Sequence, residues 1–212
     1  MEIRKINGIR PEDAEAVDRA FDGIEPCRIA CCNWAEEYPY APEVTFRMFH
    51  TGDYLMLRFD VAERYTAARV TEDNGRVWTD SCVEFFIAPD QGLYYNFETT
   101  CIGRLLLGAR KSRTEPSTPR PRHWRILRRT SLPGEPFAER EGDNRWHVVL
   151  AIPPRALFRH RIEDWSGVEA RMNLFKCGDE LSHPHFLSWQ PIRTEKPDFH
   201  RPEFFAQVRF GE

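Results

Sequence analysis

The sequence lacks any apolar run long enough to cross a bilayer as a helix, which takes roughly 20 residues. It also lacks a dominant charge. Lysine and arginine number 30 against 33 acidic residues, a formal net charge of -3. That balance argues against general affinity for nucleic acid or membrane surfaces, which recruit strongly basic chains. The opening residues, Met-Glu-Ile-Arg-Lys-Ile-Asn, carry no apolar core of a secretory signal. As it stands the chain is expected in the cytoplasm; removal of a leader would instead imply the periplasm or the exterior. No internal repeat is visible. The six cysteines, at 27, 31, 32, 82, 101 and 177, do not space as a disulfide framework. Reduced, buried thiols are therefore expected, with Cys82 and Cys101 the one pair that paired strands could bridge.

Helical periodicity is scarce as well. Only "AEAVDRAF" and "PPRALFRH" suggest helical turns, the latter with proline in its first turn. Sixteen prolines and 13% aromatic residues suit strands punctuated by turns. About ten strand candidates follow residue 43. "VTFRMF" and "YLMLRFDV" flank His-Thr-Gly-Asp, and "CVEFFIA" and "LYYNFETTCI" flank Pro-Asp-Gln-Gly, two hairpin signals. "RLLLGAR", "WRILRRT", "RWHVVLAIP", "EARMNLFKC", "HFLSWQP" and "FFAQVRF" complete the set. An all-β, antiparallel two-sheet sandwich of jelly-roll type with few short helices is predicted, as one domain over residues 1–212. Residues 1–43 are expected to be an N-terminal extension packed on it.

One strand carries a residue out of place. In "VWTDSCVEFFIAPD" (77–90), Val83, Phe85 and Ile87 alternate as a core face should. The opposite face holds Glu84 between Cys82 and Phe86, just after Trp78. A charge there needs a cation, hydrogen-bond donors or water, all of which a binding cleft can supply. The plainer explanation is a rim glutamate paired with a neighbouring Arg or Lys. Glu84 and Glu98 lie on the two arms of one predicted hairpin. A two-residue turn sets Glu84 against Phe97, and one more loop residue sets it against Glu98. Two facing carboxylates repel unless a cation or a shared proton intervenes, and such a pair also suggests glycoside hydrolysis.

Three other clusters carry weaker signals. Cys177, His183 and His185 in "CGDELSHPH" are zinc-ligand types at no recognised spacing, and Cys27, Cys31 and Cys32 are weaker still. The oxygen-rich "TEDNGRVWTD" could hold structural calcium, without the spacing of an EF-hand. Residues 110–129 form a basic, proline-broken stretch that could meet an anionic ligand, although a solvated connection explains it as well. Sugar binding demands less: aromatic faces for the ring, and amides, carboxylates, Lys or His for its hydroxyls. Trp78, Glu84, Tyr94, Asn96, Glu98, Lys176, Trp189 and His200 supply these types near strand ends. Tyr and Trp in strands are, however, more often core than platform.

Several segments together resemble the family 9 carbohydrate-binding modules and their family 9-like relatives. They are "YLMLRFDVAE", "VWTDSCVEFFIAPD", "RWHVVLAIP", "ARMNLFKCGD", "SWQPI" and "PDFHRPEFFAQVRF", from about residue 44 to the C-terminus. The resemblance implies a β-sandwich that binds the ends of glycan chains, often beside a glycosidase, and that can carry structural calcium. Such modules hold a terminal sugar between two tryptophans, with carboxylates and amides on its hydroxyls. Trp78 matches the first tryptophan and Glu84 a sugar-binding glutamate. The second tryptophan position falls near Phe199 and His200, and Trp189 is expected in the core. The polar positions after "NFE" and within "NLFKCG" also depart from the family's site.

The expected site is therefore Trp78, Glu84, Glu98, Lys176, Phe199 and His200, with Trp78 and Glu84 at the rim. The function expected is non-catalytic binding of an oligosaccharide or polysaccharide end during polysaccharide breakdown, with a partner glycosidase. Two alternatives stay open: a glycoside hydrolase using Glu84 and Glu98, or an intracellular interaction domain that has lost the sugar site.

Overall fold

The computed structural model describes residues 1–114, 116–117 and 125–212. The middle of the basic stretch, residues 115 and 118–124, lies outside them. In chain order the strands are β1 (Glu2–Ile3), β2 (Cys27–Arg28), β3 (Glu43–His50), β4 (Leu55–Ala68), β5 (Cys82–Ala88), β6 (Tyr94–Thr100), β7 (Leu105–Arg110), β8 (Pro116–Ser117), β9 (Leu127–Thr130), β10 (Phe137–Ile152), β11 (Glu169–Cys177), β12 (Phe186–Ser188) and β13 (Ala206–Phe210). The larger sheet runs β1-β13-β11-β5-β6-β7-β8, with β12 also paired to β11; the smaller runs β2-β3-β4-β10-β9. Pairing is antiparallel except where β1 joins β13. The chain is a two-sheet sandwich.

Period-two alternation decides what each sheet buries. Val83, Phe85 and Ile87 of β5, Phe97 of β6 and Leu174 of β11 face Phe46, Leu57, Phe59, Val148 and Leu150 of the smaller sheet, forming the main core. The outer face of the smaller sheet is covered by the helix α1 (Ala14–Asp22), whose Val17 and Phe21 pack on Phe49, Met56, Val149 and Ala151. Asp13 caps that helix, its carboxylate accepting from Ala16 N at 3.0 Å. "PPRALFRH" forms only a 3-10 turn, Pro154–Ala156. No helix among the described residues is long and apolar enough to cross a membrane.

The outer face of the larger sheet is also covered. Cys82, Phe86, Tyr94, Phe175 and Cys177 pack beneath Trp34, Val77, Ile192, Phe199 and Phe205, which come from loops far apart in sequence. This roof explains why β5 is buried along its whole length. Residues 1–43 are woven into the sandwich: they give a strand to each sheet, the helix, and Trp34 to the roof.

Register follows from the loops. Gly52, at φ +88°, turns β3 into β4. Between β5 and β6, the Asp90 carboxylate accepts from Gly92 N at 2.6 Å and Leu93 N at 3.4 Å. That longer loop sets Glu84 directly against Glu98 and Cys82 against Thr100. Cys82 therefore does not face Cys101, whose thiol lies in the core 3.7 Å from Ala67 O. All six cysteines are free thiols.

Candidate functional site

The roof leaves one opening above β5 and β6, a pocket of about 270 Å³. Its lining includes Trp78, Glu84, Glu98, Arg110, Arg113, Asp179, Phe186, Phe199 and His200. A hollow of about 370 Å³ near β13 is larger but has no aromatic ring in its lining. The structure thus brings together five residues singled out from sequence: Trp78, Glu84, Glu98, Phe199 and His200.

The two glutamates form the floor. Their side chains share the outer face of neighbouring strands, and their residues are only 3% and 4% exposed. Glu84 accepts from the Cys177 thiol at 3.0 Å, and Glu98 from the Asn96 amide at 2.8 Å. Asn96 in turn accepts from Arg110 Nε at 3.2 Å, so one polar chain links Arg110 to Glu98. Gly108 makes this chain fit: a Cβ there would stand 2.6 Å from Asn96 Oδ1. Burial and the Glu98 charge hold the Glu84 carboxyl well above the usual carboxylate range. Burial likewise pushes Glu98 up to about 7, so the pair keeps a proton far above the pH at which free glutamates lose theirs. Glu84 was expected at the rim, where water is available. It lies on the floor because the roof segments close over β5.

Trp78 forms one wall. It sits half-buried on the 3-10 turn Val77–Thr79, with the Arg76 guanidinium 6.0 Å from its ring centre. On the other side, Phe199 stacks flat on Phe175 at 4.2 Å and is 8% exposed, so one of its faces is already used within the roof. His200 meets the Tyr94 hydroxyl at 2.9 Å. Burial, with Arg110 and Arg113 nearby, lowers its pKa to about 3, so it is a neutral polar group at neutral pH. Asp179 is pushed up to about 6 by burial, while Asp198 lies 3.7 Å from Arg113.

Lys176 does not join the pocket. Phe175 and Cys177 point outward on β11, so Lys176 between them points into the space between the sheets. There it is wholly buried, 2.9 Å from Glu63 Oε2, and it bonds Cys177 O at 2.8 Å and His185 Nε2 at 2.7 Å. Trp189 packs edge-on against Phe46 at 5.5 Å, at the border of the core. Sequence reasoning missed Asp179 and Phe186, and held Arg110 only as part of the basic stretch that could meet an anionic ligand. Arg110 was accessible to it: Leu106, Gly108 and Arg110 alternate onto the outer face of β7. Asp179 and Phe186 are brought in by loop geometry with no local signal.

The metal candidates also resolve. His185 is committed to Lys176 and His183 stacks on Tyr65 at 3.9 Å, so these do not converge with Cys177. The Cys31 thiol points to Trp189 O and that of Cys32 to Tyr38 O. In the oxygen-rich loop, Asp73 pairs with Arg128, and buried Asp80 takes Arg69 Nε and the amides of Arg69 and Val70. Those two carboxylates each have protein donors.

A model of the family described as "Carbohydrate-binding family 9" matches residues 15–210. The chain belongs to that family. It is similar over 99% of its length, with 41% identity and a TM-score of 0.93, to a proposed carbohydrate-binding protein from Bacteroides uniformis, 98% of which is covered. It shares its fold with a family 9 module from Caldicellulosiruptor kristjanssonii solved with glucose (9% identity, TM-score 0.61, 100% of this chain and 96% of that one). The same holds for that organism's module solved with cellotriose (11% identity, TM-score 0.60, 100% and 94%). No match is found among the curated proteins. Membership of a carbohydrate-binding family and a walled polar pocket point to the same conclusion, that the chain is a sugar-binding module.

Proposed function

We propose that the pocket takes the terminal sugar of a glycan chain and binds it without transforming it. The supporting observation is a buried carboxylate pair beneath an aromatic wall in an opening of about 270 Å³. Ligand pockets run from roughly 300 to 1,000 Å³, so this one suits a single ring better than a long segment of chain. Trp78 stacks on the ring's C–H face, and Glu84 and Glu98 accept from hydroxyls while their shared proton can be donated back. Arg110 and His200 offer further contacts at the wall. Relatives of the same fold are solved with glucose and cellotriose, which makes β-glucan ends the first ligands to try. Capture of chain ends would suit a role beside a glycosidase in polysaccharide breakdown.

Hydrolysis fits the same glutamates less well. A glycosidase places its two carboxyls on either side of the scissile bond. Here both rise from adjacent positions of one floor, on the same side of any bound ring. Calorimetric titration with glucose, cellotriose and a cyclic glucan without ends, alongside a chromogenic glycoside panel, tests this reading. Saturable binding of the first two, none of the cyclic glucan and no turnover is expected. Equal binding of the cyclic glucan would defeat the chain-end reading, and turnover would defeat the non-catalytic one.

A further inference from the structure

Beneath the pocket floor lies a donor set of which the sugar reading uses only Glu84. Cys177 stands opposite Cys82 in the β11–β5 register, and both point to the outer face beside Glu84. The two thiol sulfurs and a Glu84 oxygen lie within 4.8 Å of one another, and all three residues are buried. Among the described residues they are the only His, Cys, Asp or Glu group so gathered. Tetrahedral zinc, at about 2.3 Å from sulfur and 2.0–2.2 Å from carboxylate oxygen, sets its ligand atoms roughly 3.5–3.8 Å apart. Cys177 Sγ and Glu84 Oε1 are already 3.0 Å apart. Small side-chain rotations would bring the third donor to the same centre.

We propose that Cys82, Cys177 and Glu84 bind one soft divalent cation, zinc in the first instance. Two thiolates and a carboxylate favour zinc or cadmium over calcium or magnesium. A dication would offset the charge that deprotonating these buried groups creates. Among the described residues no cation is bonded to Glu84 or Glu98, which face each other, and Asp179 adds a third carboxyl close by. Lys176 points to the opposite side of β11 and is already paired with Glu63. Arg110, the pocket arginine whose charge bears on Glu84, is bonded to Asn96 and to Arg113 O. Binding replaces two S–H bonds with two metal–sulfur bonds and releases two protons to solvent, while the proton shared by the glutamate pair stays on Glu98 and leaves Glu84 free to ligate. Glu84 and Asp179 line the pocket, so the ion enters from there, and its open fourth position is filled by water. If the pocket takes sugar as proposed above, a sugar hydroxyl can fill it instead.

Ion binding is measured without sugar, so the two readings stand or fall separately. Reduced protein is titrated with cadmium, whose bonds to thiolate give an ultraviolet charge-transfer band, and with zinc against a chromophoric chelator. One ion per chain is expected, with a band of two-thiolate intensity, and excess calcium should not displace it. Cys82→Ser/Cys177→Ser should abolish the band and weaken zinc by at least about a hundredfold. Cys27→Ser/Cys31→Ser/Cys32→Ser should leave both unchanged, and this variant decides the matter should the first one not fold. No band in the parent protein, or a band lost with the triple variant, would overturn the proposal.

Discussion

Lys176 is charged, wholly buried, and surrounded by Glu63, His185 and the Cys177 carbonyl. Glu63 also accepts from Trp146 Nε1 at 2.7 Å and from Thr66 Oγ1 at 3.1 Å. The pair therefore ties β11 of one sheet to β4 of the other. Removing one partner strands the other charge in the core, at a cost of about 3–5 kcal/mol. Urea unfolding of Lys176→Met should show a loss of that size, much of it restored by adding Glu63→Gln. An unchanged midpoint in the single variant would mean that water reaches Glu63. His200 carries the pH prediction. Its folded pKa of about 3 lies below the ordinary value of roughly 6.5, so below pH 6.5 the unfolded chain takes up a proton that the folded ring refuses. The stability of the parent relative to His200→Gln should therefore fall as pH drops from about 6.5 towards 3, by up to about 1.4 kcal/mol per unit. The ring meets Tyr94 and Phe86 with Arg110 and Arg113 nearby; Asp198 accepts from His200 N at 3.1 Å, but burial and the two arginines set the direction of the shift. Parallel curves for parent and variant would show that the folded ring takes up the proton after all.

At the scale of elements, Gly108 of β7 leaves room for the Asn96 amide that orients Glu98. Gly108→Ala would place a methyl 2.6 Å from Asn96 Oδ1, so one of them must shift. A loss of about 1–3 kcal/mol is expected, with partial recovery on adding Asn96→Ala. A neutral single variant would indicate that the amide has another place to go. Strands also show what the sequence made legible. The alternation of Val83, Phe85 and Ile87 marked the core face, and both hairpins formed where their turn residues stood. The parity of β11 was equally plain, yet Lys176 was grouped with the site by residue type, although its neighbours Phe175 and Cys177 point the other way. Register was not legible, because one residue of loop decides between Phe97 and Glu98. Only the capping of Gly92 and Leu93 by Asp90 settles it.

Over the whole molecule, function depends on a face that local patterns show as solvent. The larger sheet has its outer side covered by Trp34, Ile192, Phe199 and Phe205, from opposite ends of the chain. Period-two reasoning marks Glu84 as outward and so as wet; long-range packing makes it the floor of a pocket. The same packing explains why Phe199 and His200 reach the site though residues 84 and 199 share no local motif. The central claim is that this pocket, with Trp78 as its wall, binds a sugar. Trp78 is half-buried on a 3-10 turn, so its ring can be removed without opening the core. Ring stacking is worth on the order of 1 kcal/mol beyond burial, which together with the lost contact area is at least about tenfold in affinity. Calorimetric titration of glucose into the parent and Trp78→Ala, with both melting temperatures recorded, is the most direct test. The account predicts binding by the parent, at least about tenfold weaker binding by the variant, and similar melting temperatures. Equal affinities, or a variant that no longer folds, would contradict it.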